Sequence, residues 1–231
     1  MLSDGRRPFR DRYDAGKRLA ARLVDYRNRH DAVVMAIPRG GVPVGYEVAK
    51  ALAVPLDVIV VRKLGLPGQP ELAMGAIASG GVRVLNPEVV RALRIPDRII
   101  DSVAARETVE LERRERVYRG EWAGEDPTGQ TVILVDDGLA TGSSMQAAIA
   151  ALRARKAASI VVAVPVGPPS TCREVARLAD GLVCLNQPAY FAAVGEWYAD
   201  FAPTTDEEVR QLLESSLSFR ANTAAAPAGR P

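Results

Sequence analysis

The sequence VILVDDGLATGSS, residues 132–144, is the segment around which the rest of this chain is organised. It opens with Val132–Val135, an unbroken apolar run rich in β-branched residues, which predicts a parallel strand buried on both faces. Two aspartates end the run, and a loop with two glycines and three hydroxyl side chains follows. Residues 145–154 then have helix-forming composition. The predicted order is therefore strand, acidic pair, small-residue loop and helix.

Each part of this stretch has a chemical use. The backbone N–H groups of such a loop, placed before a helix, form a cradle for phosphate, and Thr141, Ser143 and Ser144 add hydroxyl donors. The acidic pair, Asp136 and Asp137, suits sugar hydroxyls or a hydrated Mg²⁺ ion. The loop contains no lysine, which excludes a Walker A phosphate loop. The implied ligand is a sugar phosphate.

The segments on either side of this stretch extend the pattern of alternating strands and helices. A strand, a helix and a strand precede it at 31–37, 44–52 and 55–61, and a strand, a helix and a strand follow it at 159–164, 169–178 and 181–185. Repeated strand–helix–strand units form parallel sheets. We therefore expect an α/β fold with a doubly wound, mainly parallel sheet and flanking helices.

The remaining segments complete the predicted organisation. Helices are expected at 14–26, 87–93, 97–118 and 204–217, a loop at 64–70 and a β-hairpin at 72–84. Residues 86–126 are interpreted as a helical insertion, and because the long helix is mostly charged, it is expected to lie at a sheet edge or at a contact between subunits, as in a homodimer. Residues 1–218 then form a single domain, and the Ala/Pro-rich segment 219–231 is predicted to be disordered.

Composition sets the outer limits. The chain has 231 residues, 48% of them hydrophobic, which is enough for a full core. A net charge of +2 gives no indication of nucleic-acid binding. The two cysteines do not have metal-ligand spacing, the first residues lack a signal-peptide core, and no run approaches the ~18–20 apolar residues of a membrane span. A soluble cytoplasmic protein without membrane contacts is expected.

Three loops are predicted to meet where the strands end. In an open parallel sheet, ligands bind beyond the carboxyl ends of the strands. The loops that leave such ends are Pro38–Gly41, here called the PRGG loop, the basic pair Arg62 and Lys63, and the segment Asp136–Ser144. The PRGG loop offers a guanidinium group and two glycines whose N–H groups can face a ligand.

The stretch at 132–144 resembles the phosphoribosyl pyrophosphate (PRPP) motif of type I phosphoribosyltransferases. The resemblance extends over about residues 31–200. It implies a type I phosphoribosyltransferase fold and a Mg²⁺-dependent reaction in which a ring nitrogen displaces pyrophosphate from C1 of PRPP. In that family the loop after the first core strand binds pyrophosphate and often contains a cis peptide bond.

The resemblance also assigns roles to residues. Asp136 and Asp137 would bind the ribose hydroxyls and would coordinate Mg²⁺, directly or through water. The small-residue loop would hold the 5-phosphate with Gly138, Leu139, Ala140, Thr141, Gly142, Ser143 and Ser144. Pyrophosphate would be held by Arg39, Gly40, Gly41, Arg62 and Lys63.

The acceptor side is less specific. Residues 186–203 take the place of the family's small C-terminal hood, and Tyr190, Phe191 or Trp197 could stack on a base, although aromatic residues are more often part of a core or interface. The partners implied are PRPP and a small-molecule base, whose identity stays open. Two alternatives also stay open: a non-catalytic regulator that senses PRPP or nucleotides on the same fold, and an unrelated Mg²⁺-dependent phosphotransfer protein, against which the TGSS sequence argues.

Overall fold

A central parallel sheet forms the framework of the computed structural model, which describes residues 9–224. Its five strands are β1 (Ala32–Ala36), β2 (Leu56–Val58), β6 (Thr131–Val135), β7 (Ser159–Val166) and β8 (Gly181–Asn186). They lie in the order β2-β1-β6-β7-β8, and every neighbouring pair is parallel. The predicted doubly wound α/β fold is confirmed.

Alternate residues of the central strands supply two separate cores. Ile133 and Val135 of β6 belong to one core, while Val132 and Leu134 belong to the other. The first core is covered by α1 (Arg12–Ala20), α2 (Gly41–Leu52), α4 (Asp97–Arg119) and α7 (Asp206–Ala224), and the second by α5 (Ser143–Ala154) and α6 (Pro169–Ala176). Because side chains alternate across a strand, a run of apolar residues is buried on both faces of the sheet.

A second, antiparallel sheet corrects the prediction for residues 55–70. It consists of β3 (Val61–Leu66), β4 (Gln69–Ala78) and β5 (Val82–Leu85), followed by the short helix α3 (Pro87–Ala92). The strand predicted at 55–61 ends after Val58, where the chain leaves the parallel sheet. The loop predicted at 64–70 is a hairpin instead, because the turn needs only Pro67 and Gly68, with φ of +82° at the glycine.

The long charged helix α4 lies against its own chain. Ile100, Val103, Leu111 and Tyr118 are buried in the first core, and α4 contacts β3 and α7. At its C-terminal end, Arg119 forms an ion pair with the fully buried Asp57 of β2 and also donates to the carbonyl of Val58. A second subunit is therefore not needed to bury the apolar face of this helix.

The terminal helices differ in length from the sequence-based expectation. The helix predicted at 14–26 ends at Ala20, and a short 3-10 turn follows at Val24–Tyr26. Near the other end, the hydroxyl of Thr205 accepts from the N–H of Glu208 at 3.0 Å and caps the start of α7. Helix α7 continues to Ala224, so the disorder predicted for 219–231 is wrong for residues 219–224, and residues 225–231 lie outside the described chain.

Candidate functional site

The PRGG loop and the acidic pair lie side by side at the carboxyl edge of the parallel sheet. Strands β1 and β6 are neighbours, with Ala36 opposite Val135, so the loops that follow them leave from the same edge. The peptide bond between Pro38 and Arg39 is cis. The sequence-based prediction that these two loops converge is therefore met by the sheet topology.

Glycine permits this close approach. A Cβ atom on Gly40 would lie 2.0 Å from Oδ2 of Asp137, and one on Gly41 would lie 2.9 Å from the carbonyl oxygen of Val135. Separations this short exclude any side chain without movement of the neighbours, so both positions need glycine. The N–H of Gly41, which the resemblance assigns to pyrophosphate, donates to the carbonyl of Ile37 at 3.1 Å and is therefore engaged within the chain.

The two carboxyl groups of the acidic pair have different surroundings. Burial and then the neighbouring Asp137 charge raise the pKa of Asp136 well above its ordinary value. Burial also raises the pKa of Asp137, but the Arg12 charge and hydrogen bond oppose that shift. One oxygen of Asp136 accepts the N–H of Asp137 at 2.8 Å. The site therefore holds its negative charge mainly where a guanidinium compensates it.

Arg12, which no sequence motif includes, reaches the acidic pair from α1. Its Nε donates to Oδ2 of Asp137 at 2.8 Å, and the two side chains are only 10% and 15% exposed. Its Nη1 donates to the carbonyl of Ala202 at 2.7 Å, and its Cζ lies 3.9 Å from the ring centroid of Phe201. An arginine 125 positions away in sequence belongs to none of the motifs, which is why the pattern did not indicate it.

Tyr198 supports the same pair from the segment 186–203, which was predicted to form the hood. Burial and then the Asp137 charge raise the pKa of its hydroxyl, which donates to the carbonyl of Asp137. Its ring packs against Phe9 and Phe201, with centroids 5.5 and 5.0 Å away. Tyr198 therefore fixes the backbone at the start of the small-residue loop.

The small-residue loop, residues 138–144, divides into a buried part and an exposed part. Leu139 is buried and its N–H donates to the carbonyl of Val166 at 2.8 Å, so this residue anchors the loop in the protein. A Cβ on Gly138 would lie 2.6 Å from Val194, and the hydroxyl of Thr171 donates to the carbonyl of Ala140. Of the residues predicted to hold phosphate, Gly138 and Leu139 face the protein.

The exposed part of the loop presents hydroxyl groups at the start of α5. The side chains of Thr141, Ser143 and Ser144 are exposed, and the hydroxyls of Thr141 and Ser143 are 3.1 Å apart. Gly142 precedes the helix with φ of +75°, a conformation that disfavours residues with a Cβ. Hydroxyls and a helix N-terminus together can bind a phosphate group.

The predicted pyrophosphate cations are not gathered in one place. Arg39 is half exposed, with Nη1 3.5 Å from Oδ1 of Asp206. Arg62 and Lys63, predicted to follow a strand of the parallel sheet, lie inside β3 of the antiparallel sheet. Arg62 donates twice to Oε2 of Glu107 on α4, at 3.0 and 2.6 Å. Arg62 and Lys63 lie away from the parallel sheet because the chain enters the antiparallel sheet before them. The continuous apolar run at 55–61 gave no sign of this change of sheet.

The aromatic residues predicted to stack on a base are dispersed. Tyr190 is 95% exposed, Phe191 is half-buried, and Trp197 packs beside the cluster of Phe9, Ala15 and Tyr198. A groove of about 560 Å³ lies instead between α5 and the antiparallel sheet, where Lys63 and Asn86 are among its mostly apolar lining residues. It borders the small-residue loop at Ser143 and Ser144 and does not include the three aromatic residues.

The described part of the chain has neither a cluster of metal-binding side chains nor a membrane-spanning helix. Between residues 9 and 224, no group of three or more His, Cys, Asp or Glu side chains could hold a metal ion. None of the helices described there is long and apolar enough to cross a membrane.

Comparisons with known proteins agree with this architecture. The family model described as a phosphoribosyl transferase domain matches residues 9–199. The chain is 48% identical over 209 residues to two Mycobacterium tuberculosis proteins, each named "Putative phosphoribosyl transferase": Rv0571c of strain ATCC 25618 / H37Rv and MT0597 of strain CDC 1551 / Oshkosh. The match covers 89% of this chain and 46% of each relative, so the chain spans about half the length of the curated relatives it matches.

A solved structure resembles nearly the whole chain. The crystal structure of TT1426 from Thermus thermophilus has a TM-score of 0.80 and 41% sequence identity to this chain. The match covers 90% of this chain and 98% of that protein, so the architecture described above is shared by both.

Proposed function

Because the chain belongs to the phosphoribosyl transferase domain family, we propose that it transfers the ribose 5-phosphate group of PRPP to a nitrogenous acceptor and releases pyrophosphate. The observation that carries this proposal is the contact between the PRGG loop and the acidic pair, where Gly40 leaves no room for a Cβ beside Asp137. We propose that a sugar with phosphate groups at both ends binds between this contact and the small-residue loop.

In the proposed complex, three parts of PRPP meet three parts of the site. The ribose hydroxyls bind the acidic pair, and the 5-phosphate binds the exposed hydroxyls and N–H groups at Thr141–Ser144. Pyrophosphate binds near Gly40, with Arg39 and Lys63 proposed as its cationic ligands. Arg62 would first have to leave Glu107 to join them.

The proposed reaction is a substitution at C1. The lone pair of the acceptor nitrogen forms the new bond to C1 while the bond from C1 to the pyrophosphate oxygen breaks, and pyrophosphate leaves with that electron pair. The proton displaced from the acceptor nitrogen passes to solvent or to a basic group. The protein contributes positioning and electrostatic stabilisation of the departing anion, and no covalent intermediate is needed.

The acidic pair fits the Mg²⁺ ion that the family implies. Carboxylate oxygens are hard ligands, and Mg²⁺ commonly binds one or two carboxylates together with water and substrate phosphates. One oxygen of each aspartate is engaged by Arg12 or by a backbone N–H, so the second oxygens of Asp136 and Asp137 would hold the ion or its water. When bound, Mg²⁺ supplies positive charge to the pyrophosphate.

A second candidate is a regulator that binds PRPP without transferring it. The exposure of Tyr190 and its separation from Trp197 favour this candidate, because the aromatic residues expected around an acceptor are not assembled. The small-residue loop and the acidic pair serve both candidates equally.

The experiment that tests the proposal is a screen of purine, pyrimidine and pyridine bases with PRPP and Mg²⁺, with pyrophosphate release as the readout. Transfer predicts release that requires both one of the bases and the acidic pair. Binding of PRPP without release for any base would favour the regulator. Absence of both binding and release would contradict both candidates.

A further inference from the structure

Arg12 lies where α1, the PRGG loop, the acidic pair and residues 198–202 meet. It lies at the first position of α1, directly after the N-cap Asp11, whose side chain accepts from the N–H of Asp14 at 2.7 Å. Helix α1 is in close contact with α2, where a Cβ on Gly16 would lie 2.6 Å from the carbonyl oxygen of Val44. Because α2 begins at Gly41, the position of Arg12 is tied to the position of the PRGG loop.

The guanidinium group of Arg12 has a different partner on each side. Nε donates to Asp137, Nη1 donates to Ala202, and the face of the group lies on the Phe201 ring. Nε would also be 3.3 Å from a Cβ on Gly40. Side chains held by several partners have few accessible rotamers, so both Arg12 and the Asp137 carboxylate have a fixed orientation.

This ion pair differs from an ordinary surface pair. Both side chains are almost buried, and Oδ2 of Asp137 is used by Arg12 while the carboxylate lies beside the PRGG loop. The residues that surround a binding group keep it in its precise position. This matters because misplacement by about 1 Å can cost on the order of 100-fold in rate.

We propose that Arg12 is a positioning residue, which orients the Asp137 carboxylate beside Gly40 so that its second oxygen faces the ribose hydroxyls, and which joins the hood residues 198–202 to the acidic pair. This inference rests on the proposed function, since ribose is the ligand assigned there to Asp137. Arg12 acts through Asp137 and through the hood and has no contact of its own with pyrophosphate.

The positioning role predicts a split between ligands. The variant Arg12→Met removes the guanidinium group and keeps an unbranched apolar side chain. It should weaken PRPP and ribose 5-phosphate at least about 10-fold each, the effect of losing one charge-assisted hydrogen bond, while inorganic pyrophosphate measured without Mg²⁺ keeps its affinity within about twofold. The variant Arg12→Lys should recover part of the lost affinity, because it restores the charge without the planar fork.

Arg18 offers a matched control on the same helix. It pairs with Asp14 at 2.7 Å, is half exposed and lies over the Phe9 ring, away from Asp137. Arg18→Met changes the charge of α1 by the same amount and should leave all three affinities unchanged.

The test combines calorimetry of the variants with hydrogen exchange of the ligand-free full chain. Faster exchange in Arg12→Met over both 136–144 and 198–202, absent in Arg18→Met, is expected. Unchanged exchange in both segments, unchanged ribose 5-phosphate affinity, or an equal loss for pyrophosphate would each overturn the positioning role. If the unaltered protein binds no PRPP, the proposed function fails, and the exchange comparison still decides whether Arg12 joins the two segments.

Discussion

At the end of β6, two neighbouring carboxyl groups that look equivalent in the sequence have different partners in the structure. Asp137 has a guanidinium partner, whereas Asp136 has the N–H of Asp137 and a second negative charge beside it. Keeping Asp136 ionised in this place costs stability, and binding sites often retain such a cost because the charge is needed for the ligand.

This difference predicts that Asp136→Asn stabilises the ligand-free protein. The folded-state pKa of Asp136 is raised above its unfolded value, so its contribution to stability is complete below about pH 4 and is lost as pH rises through the folded pKa. Asparagine stays neutral and still accepts the Asp137 N–H. A gain of about 1 kcal/mol at pH 8 corresponds to roughly 2–4 °C in Tm.

Thermal melts at several pH values check this prediction. The difference in Tm between Asp136→Asn and the unaltered protein should shrink towards about pH 4, near the ordinary pKa of an aspartate. A variant that melts lower than the unaltered protein at about pH 8 would mean that the ionised carboxylate is stabilising, contrary to the surroundings described above.

Some residues of the candidate site were predictable from the sequence, and Arg12 was not. Asp136, Asp137 and the PRGG glycines could be selected because consecutive residues of one motif carry them. Arg12 could not, because its position depends on the packing of α1 against α2 and on the carbonyl of Ala202. A single basic residue near the start of a polar segment has no pattern that separates it from its neighbours.

Among the helices and strands, α4 is fastened to the edge of the parallel sheet by one buried ion pair. Asp57 of β2 is fully buried. Its carboxylate accepts hydrogen bonds from Nε and Nη2 of Arg119 at 2.9 and 3.0 Å and from the N–H of Glu125 at 2.9 Å. Removing one partner of a buried pair leaves the other charge poorly compensated, which is much more costly than the net contribution of the pair.

We therefore predict that Arg119→Met lowers the free energy of unfolding by roughly 3–5 kcal/mol. The control Arg113→Met removes a half-exposed arginine of the same helix that pairs with Glu110, and it should leave the urea midpoint nearly unchanged. Urea unfolding of both variants measures the difference. Equal midpoints would show that Arg119 does not anchor α4.

The antiparallel sheet is the element that sequence reasoning described least well. The hairpin at 72–84 was predictable from its spaced small residues, and it forms β4 and β5. Residues 61–66 were not recognised, because Val61 continues an apolar run and Pro67 and Gly68 suggested a longer loop. Only the tertiary structure shows that β3 pairs with β4, which moves Arg62 to Glu107 on α4.

For the whole molecule, the alternation of strands and helices was sufficient to predict the architecture. Continuous apolar runs at β1, β6 and β7 are buried on both faces, and the sheet order places the PRGG loop beside the acidic pair. Half of the predicted site follows from that topology. The predicted acceptor side does not, because its aromatic residues lie outside the strands, and no periodic pattern specifies the groove between α5 and the antiparallel sheet.

The proposed binding of PRPP by the acidic pair and the two loops beside it can be measured by calorimetry with Mg²⁺. The double variant Asp136→Asn with Asp137→Asn is compared with Asp31→Asn with Asp101→Asn, which removes two exposed carboxylates elsewhere. We predict PRPP affinity at least about 10-fold weaker, or ~1.4 kcal/mol, in the first double variant and unchanged affinity in the second. Unchanged PRPP affinity in a folded Asp136/Asp137 double variant would contradict the proposal that the acidic pair binds PRPP.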